Sequence, residues 1–246
     1  MVTPESIELS VVVPVYNEEA CIAPLLEEIG QALQGVCCFE VLVVDDGSTD
    51  RTTECVLAAA PSSPAPLRLI RHHHNAGQSA ALVSGVRHAR GMWVATLDGD
   101  GQNDPGDLPR LLDIGRDPQQ GADLVAGLRA RRADDWVKRF SSRLANGVRR
   151  WLLDDRVSDT GCGLKLFRRD LFLEFPRFNH MHRFLPALAR RADARVATVP
   201  VNHRPRHGGA SKYGVGNRLW VGIVDLCGVM WLQRRPCNPE AREEHP

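Results

Sequence analysis

The chain has 246 residues, of which 43% are hydrophobic and 25% are charged, and its formal net charge is +1. A net charge this small excludes the overall basic field that nucleic-acid-binding proteins carry, so any anion must be bound by local clusters of cations. The seven cysteines show no C-x-x-C spacing, which argues against a disulfide framework or a zinc site. We expect reduced thiols and, because no basic start precedes an apolar run, no signal peptide.

The first half of the chain alternates between short Val- and Leu-rich runs and amphipathic stretches. Ile22, Leu25, Leu26, Ile29 and Leu33 recur at helical spacing, which predicts an amphipathic helix over 18–34. Further helices are predicted at 79–90 and 107–115, and strands at 9–15, 39–45, 67–71, 93–97 and 123–128. This alternation predicts an α/β fold with a mostly parallel sheet flanked by helices, in which ligands bind beyond the carboxyl ends of the strands.

The second half is less regular. Here the sequence predicts a helix over 135–153, a short element at 164–167, a helix over 183–192, a strand over 195–203 and a Gly-rich basic loop over 204–217. The last residues, 236–246, are polar and contain prolines, so we expect a flexible tail.

The segment T-L-D-G-D-G-Q at 96–102 places two carboxylates one residue apart directly after a predicted buried strand. Like charges this close repel unless a cation lies between them, and Mg²⁺ or Mn²⁺ prefers such oxygen ligands. Asp98, Asp100 and the neutral oxygen of Gln102 are therefore candidate metal ligands. Gly99 and Gly101 would let a diphosphate approach the backbone. The alternative is a polar turn, because D-G is a common turn dipeptide.

Two further motifs follow the first two predicted strands. In V-D-D-G-S-T-D at 44–50, Asp46 would accept hydrogen bonds from a base or a ribose, while Ser48 or Asp50 would cap the next helix. In V-P-V-Y-N-E-E at 13–19, Tyr16 would stack on a base and Glu18 would lie in the first turn of a helix.

In this order and at these gaps, the three motifs resemble family 2 glycosyltransferases with the Rossmann-like GT-A fold. The resemblance is closer to the dolichol-phosphate mannosyltransferase-like branch, which includes polyprenyl-phosphate glycosyltransferases, and it covers about 8–232. Four more segments carry it: N-A-G-Q-S-A-A-L at 75–82, A-G-L-R at 126–129, S-D-T-G-C-G-L-K-L-F-R-R-D at 158–170 and R-H-G-G-A-S-K-Y-G at 206–214.

The resemblance implies a set of site residues. The nucleobase and ribose pocket would be lined by Pro14, Tyr16, Glu18, Val44 and Asp46. The metal on the diphosphate would be held by Asp98, Asp100 and Gln102, with Gly99 beside the substrate and Asp100 contributing to catalysis. The acceptor phosphate and the sugar diphosphate would be surrounded by Arg129, Arg143, Arg206, Ser211 and Lys212. Asp159 would be a catalytic carboxylate, either as a base or as a group that orients the acceptor. Relatives often have Arg where this chain has Lys165, which changes any bidentate contact there.

Two segments fit less directly into this set. The stretch 219–232 is apolar, flanked by Arg218, Arg234 and Arg235, and at ~1.5 Å per residue too short for a ~30 Å hydrocarbon core. It predicts an interfacial helix over 218–235 after a glycosyltransferase domain over 1–217; a core helix is the alternative. His72–His74 cannot present three rings tetrahedrally to one metal, so we expect a solvated loop.

The function implied is metal-dependent, inverting transfer of a sugar from GDP-mannose or a UDP-hexose to dolichyl or undecaprenyl phosphate. The protein would act peripherally at the cytoplasmic face of a membrane, with Mg²⁺ or Mn²⁺, without nucleic acid, and with a small membrane-anchoring protein as a candidate partner. Two alternatives stay open: the same fold with a hydroxyl acceptor, and a non-catalytic nucleotide-sugar-binding subunit.

Overall fold

The computed structural model describes residues 6–119, 121–129, 161–205 and 215–235, with the backbone alone for 215–220. The predicted helix 135–153 and the predicted tail 236–246 lie outside these residues. The strands are β1 (Leu9–Val15), β2 (Phe39–Asp45), β3 (Leu67–Arg71), β4 (Trp93–Thr96), β5 (Leu124–Arg129), β6 (Lys165–Arg168) and β7 (Val196–Val201). The helices are α1 (Ile22–Leu33), α2 (Thr52–Ala59), α3 (Gln78–His88), α4 (Leu108–Arg116), α5 (Arg169–Leu173), α6 (Leu185–Arg191) and α7 (Val215–Gln233).

The seven strands form one mixed sheet in the order β3-β2-β1-β4-β6-β5-β7. The pairs β1–β2, β1–β4, β2–β3 and β5–β7 are parallel, and β6 is antiparallel to both β4 and β5. The predicted α/β class and mostly parallel sheet are confirmed. Because β1, β2 and β4 run side by side in one direction, the turns that follow them meet at one edge of the sheet.

Side chains that alternate along β1 supply the two faces of the core. Val11 and Val13 belong to a cluster that α1 and α4 cover, whereas Val12 belongs to a second cluster covered by α3 and α6. In α1 the five residues that the sequence placed on one face are all buried, with exposures of 0–7%. Burial on both faces explains why these strands are continuous apolar runs.

Helix α1 begins at Ile22, later than the predicted 18. The carbonyl of Glu18 accepts from the amides of Cys21 and Ile22 at 3.0 and 3.1 Å, so Glu18 lies in the preceding turn. The expectation that Glu18 occupies the first turn of the helix was therefore wrong. The cause is a turn at Asn17, whose positive φ of 54° keeps the chain out of the helical conformation.

Helix α7 begins at Val215, earlier than the predicted 218. Val229 is 1% exposed, and Leu226 and Met230 pack on the same core cluster, so one face of the helix belongs to the core. Val224 and Trp231, seven positions apart and hence on one face, are 54% and 58% exposed. Within the described residues, no helix is long and apolar enough to cross a bilayer.

Candidate active site

The turns that follow β1 and β2 hold each other in place. The Asn17 amide donates to Ser48 Oγ at 2.9 Å, and Asn17 Oδ1 accepts from the Thr49 amide at 2.8 Å. The Glu18 amide donates to Thr52 Oγ1 at 2.9 Å. The polar residues of the motifs at 13–19 and 44–50 therefore form one fixed rim beyond the ends of β1 and β2.

The N-cap of α2 is Arg51, without a side-chain cap bond, so the predicted cap Asp50 lies one residue earlier and contacts the first turn from there. Its Oδ1 accepts from the Thr52 amide at 3.0 Å, and its Oδ2 accepts from the Glu19 amide at 3.3 Å. Ser48, the other candidate, faces Asn17 instead. The carboxylate satisfies an amide in the first turn that has no partner within the helix.

Asp46 uses its carboxylate inside the protein. Its side chain is almost fully buried, and Oδ1 lies 2.7 Å from His72 Nδ1 and accepts from the Ala76 amide at 2.9 Å. Its Oδ2 accepts from the Gly77 amide at 2.8 Å. These bonds fix the loop between β3 and α3. A ligand contact by Asp46 stays a prediction, while its hydrogen bonds to this loop are observed.

The three histidines at 72–74 differ in exposure. His73 and His74 are exposed, as expected of a solvated loop. His72 is partly buried, with Nδ1 on Asp46 and Nε2 2.8 Å from Ser84 Oγ. The expectation was wrong for His72 because its two partners lie on other elements, at the end of β2 and in α3.

We expect Asp46→Ala to lower the free energy of unfolding by about 3 kcal/mol, because two backbone amides and an imidazole would lose their shared, almost fully buried acceptor. Urea denaturation monitored by circular dichroism measures this loss. Exposed Asp113→Ala, on α4, is the matched control and should change stability by less than about 0.5 kcal/mol. Unchanged stability together with lost nucleotide binding would assign Asp46 to the ligand alone.

Asp98 and Asp100 follow β4 at the same edge of the sheet. Asp98 Oδ1 accepts from Gln78 Nε2 at 2.7 Å, and the Asp98 amide donates to Asn103 Oδ1 at 2.9 Å. Asp100 Oδ1 accepts from the Gln102 amide at 3.1 Å. The acidic loop is therefore braced by its own polar residues and by the first residue of α3.

The electrostatics of this pair suit a divalent cation. Burial, followed by the negative charge of Asp100, raises the pKa of Asp98 to about 6, against the positive charges of Lys165 and Arg129. Two carboxylates that repel each other gain most from a cation between them. No cluster of three or more His, Cys, Asp or Glu side chains that could hold a metal occurs in the described residues. The local set is thus two carboxylates and an amide, which suits Mg²⁺ or Mn²⁺ when substrate phosphates complete the coordination.

Hydrogen bonds join Gln102 to Arg204, in the segment that follows β7. The carbonyl of Gln102 accepts from the Arg204 amide at 2.9 Å, and Gln102 Nε2 donates to the Arg204 carbonyl at 3.4 Å. Arg204 pairs with Glu28 at 2.5 Å and with Asp104 at 2.8 Å. With its amide nitrogen on Arg204, Gln102 has Oε1 for the predicted metal contact.

Close packing requires glycine at two positions of the site. A Cβ on Gly99 would lie 2.6 Å from Val15 Cγ1, so this glycine is needed where the acidic loop passes β1. A Cβ on Gly163 would overlap the carboxyl group of Asp98. Gly101 differs, because its φ is +72° and a Cβ there would meet open space. Of the three, Gly101 is the one that leaves room above the backbone for a ligand.

A cleft of about 480 Å³ lies beside this loop. It contains the carboxylate of Asp98 and three cations, Arg129, Lys165 and Arg183. Pro14, Leu82 and Leu185 form apolar parts of the wall. Mixed apolar walls with a few convergent charged groups are typical of a small-molecule site.

Lys165 and His182 have defined environments in the cleft wall. Lys165 is 4% exposed, and its Nζ donates to the carbonyl of Cys162, so it is a buried cation next to Asp98. His182 Nδ1 lies 2.8 Å from Ser79 Oγ. Burial, followed by the charge of Lys165, lowers the pKa of His182 to about 3, so its imidazole is neutral near pH 7.

The structure brings together only part of the predicted site. Pro14, Asp98 and Arg129 line the cleft, while Tyr16, Glu18, Asp100 and Gln102 are partly exposed on the turns around it. Val44 is 0% exposed, and its side chain packs in the core beneath α3, so its predicted place in the lining of the nucleobase and ribose pocket stays a prediction. Five predicted residues lie outside the described part of the chain: Arg143, Asp159, Arg206, Ser211 and Lys212.

Among the cleft residues that were not predicted are Gln78, Gly163, His182 and Arg183. Gln78 and Gly163 fall inside segments that carried the resemblance, N-A-G-Q-S and G-C-G-L-K, which is the signal that pointed to them. His182 and Arg183 had no such signal, because a short His-Arg pair before a helix is usually solvated.

Comparisons with known proteins agree with this architecture. Residues 10–175, more than half of the chain, match the family described as Glycosyl transferase family 2. The chain belongs to this family. It is 35% identical to dodecaprenyl-phosphate galacturonate synthase of Rhizobium johnstonii over 239 residues, which cover 96% of this chain and 70% of that protein. It is 37% identical to undecaprenyl-phosphate 4-deoxy-4-formamido-L-arabinose transferase of Pseudomonas aeruginosa over 229 residues, which cover 90% of this chain and 65% of that protein.

This chain thus spans about two-thirds of the length of these curated relatives. Among solved structures it is similar to glucosyl-3-phosphoglycerate synthase of Mycobacterium tuberculosis in complex with Mn²⁺ and UDP-glucose. The TM-score is 0.70 at 21% identity, with 90% of this chain and 79% of that chain covered. An identity this low shows the fold alone, and the predicted GT-A fold is confirmed. The relatives named above are polyprenyl-phosphate sugar transferases, so the predicted branch of the family is confirmed as well.

Proposed function

We propose that this chain transfers a sugar from a nucleotide diphosphate to a polyprenyl phosphate. The observation that carries the proposal is the acidic pair Asp98 and Asp100 beside a cleft containing Arg129, Lys165 and Arg183. An acidic pair suits a metal-bound diphosphate, and a group of cations suits a second anion that must approach the first. The names of the two curated relatives, both polyprenyl-phosphate sugar transferases, support this choice of acceptor.

The donor side needs stabilisation of its leaving group. Cleavage of the bond between sugar and diphosphate leaves growing negative charge on the diphosphate. A divalent cation held by Asp98, Asp100 and Gln102 would act there as a Lewis acid. The hydrogen bond from Gln78 to Asp98 and the close packing of Gly163 hold the Asp98 carboxylate in one position.

The acceptor side needs positioning more than proton removal. A phosphate monoester has a second pKa of about 6, so it is already mostly ionised near neutral pH. What it needs is a set of cations that brings it close to another anion, and Arg129 and Arg183 both line the cleft. In this proposal Asp159 orients the acceptor, with Arg143, Arg206, Ser211 and Lys212 as further phosphate contacts.

The donor sugar is the finer part of the proposal. The structurally similar glucosyl-3-phosphoglycerate synthase was solved with UDP-glucose, and the relatives are named for galacturonate and a formamido-arabinose. We therefore place UDP sugars first and GDP-mannose second.

The decisive experiment incubates the purified chain with Mn²⁺, a panel of nucleotide sugars and undecaprenyl phosphate, and detects glycosylated lipid by mass spectrometry. Undecaprenol, the matching alcohol, is the control acceptor. Product from the phosphate alone supports the proposal. Product from the alcohol favours a hydroxyl acceptor, and nucleotide-sugar binding without product favours a non-catalytic binding subunit.

Helix α7 is the proposed contact with the membrane. Opposite the face that packs on the core, it exposes Val224 and Trp231, and Ile223 beside them is 43% exposed. The guanidinium of Arg235 lies 5.3 Å from the Trp231 ring centroid at the end of this face. An apolar face with a tryptophan and basic residues at one end suits the interface of an anionic membrane.

We expect the double variant Val224→Ser/Trp231→Ser to bind vesicles containing anionic lipid at least about tenfold more weakly. Each change removes apolar burial of about 1.5–3 kcal/mol from the interface without touching the core face. Vesicle flotation measures the bound fraction.

Cys227→Ser, a small change on the same exposed face, is the control for this prediction and should float like the wild type. If the double variant also floats like the wild type, helix α7 is only part of the core and the membrane contact lies elsewhere.

A further inference from the structure

Arg183 lines the cleft and forms no ion pair within the described part of the chain. Its side chain is exposed, and it lines the cleft together with Asp98. The other two cations of the cleft are less accessible: Lys165 is buried and donates to the carbonyl of Cys162, and Arg129 is only partly exposed. Among the ion pairs of the described residues, none includes Arg183, whereas Arg204 and Arg116 each have carboxylate partners.

The backbone that carries Arg183 is held from two sides. The 3₁₀ turn Met181–Arg183 begins after His180, whose φ is +64° and whose Nδ1 lies 2.9 Å from Asp225 Oδ2 on α7. On the other side, His182 Nδ1 lies 2.8 Å from Ser79 Oγ on α3. The Arg183 amide also donates to the His180 carbonyl at 3.0 Å. The start of the arginine side chain is therefore fixed while its guanidinium remains accessible.

We propose that Arg183 binds an anionic oxygen group of a substrate, either the phosphate monoester of the acceptor or a carboxylate on the donor sugar. The planar fork of a guanidinium matches both groups in a bidentate manner. The identity of the two substrates rests on the proposed function. The link from Asp225 to His180 ties this turn to α7, the proposed membrane contact, and so favours the acceptor phosphate as the source.

The test compares Arg183→Gln with Arg87→Gln, an exposed arginine about 13 Å along α3 from Gln78. Titration calorimetry in the presence of Mn²⁺ measures ligand affinity in two arms of the experiment. The acceptor arm uses geranyl phosphate, a soluble short prenyl phosphate. The donor arm compares UDP-glucuronate with UDP-glucose, which differ by one carboxylate. Unfolding midpoints show that both variants are folded.

We expect Arg183→Gln to weaken the binding of one ligand about tenfold or more, because it removes a charge-assisted contact. A loss confined to geranyl phosphate assigns Arg183 to the acceptor phosphate, and a loss confined to UDP-glucuronate assigns it to a sugar carboxylate. Arg183→Lys should recover only part of the affinity.

Three outcomes would overturn the inference. They are affinities within twofold of the control in both arms, equal losses for the two UDP sugars, and a wild type that binds neither geranyl phosphate nor UDP-glucuronate. Both arms measure binding without turnover. A failed transfer assay therefore counts against the proposed function, and the binding arms alone decide the contact made by Arg183.

Discussion

Asp100→Asn should lower kcat/KM for sugar transfer by about 1,000-fold or more while the protein stays folded. The substitution removes one of the two negative charges that would hold a divalent cation on the diphosphate. Lewis-acid stabilisation of this kind contributes several kcal/mol, and each 1.36 kcal/mol is a factor of ten in rate. Because the charge of Asp100 raises the pKa of Asp98, its removal relieves repulsion, so the metal-free variant should be at least as stable as the wild type.

Thermal unfolding gives a second measurement of the same change. Mn²⁺ should raise the unfolding temperature of the wild type and leave that of Asp100→Asn nearly unchanged, because a ligand stabilises only a native state that binds it. Asp113→Asn, at a side chain that is 73% exposed on α4, is the matched control and should respond to Mn²⁺ like the wild type. Full turnover of the wild type in EDTA would remove the metal from the proposal.

Gly163→Ala should lower transfer by about 100-fold with only a modest loss of stability. A new Cβ would overlap the Asp98 carboxyl group, which is the far end of a side chain and would be displaced by rotation rather than by a shift of the backbone. The fold would then lose no more than about 2 kcal/mol, whereas a displacement of about 1 Å in a catalytic group is enough for a 100-fold loss. Steady-state kinetics and urea denaturation of the same variant measure the two effects.

Gly228→Ala is the control, because a Cβ there meets open space on α7. Alanine is favoured over glycine within a helix by up to about 1 kcal/mol, so this variant should be as stable as the wild type or more stable. If Gly163→Ala transfers sugar at the wild-type rate, the close contact with Asp98 has no influence on the site.

The sequence allowed much of the sheet to be predicted because its strands are buried on both faces. Such strands are continuous apolar runs, and β1 and β2 were found at the predicted positions, as was β3, a partly exposed strand at the edge of the sheet. Helix boundaries were less certain, as at α1, because the turn at Asn17 depends on hydrogen bonds to Ser48 and Thr49, far away in the sequence.

The site was predictable where a short motif supplies its own geometry. Asp98, Asp100 and Gln102 follow one strand, so their proximity is a consequence of the local chain, and Pro14 and Arg129 lie at the ends of strands of the same sheet. Val44 and Asp46 also lie at a strand end, but the direction of their side chains is set by α3 and the loop before it. Their burial therefore could not be read from the motif.

The sequence by itself determined the fold class, the family and the acidic loop, because these depend on hydrophobic pattern and on residues close together in the chain. Only the tertiary structure decided the partners of His72, the packing of Gly163 on Asp98 and the position of Arg183 in the cleft. It also showed that α7 has one face in the core and one exposed. Each of these depends on contacts between segments far apart in sequence, and such contacts exist only after the sheet has brought its strand ends together.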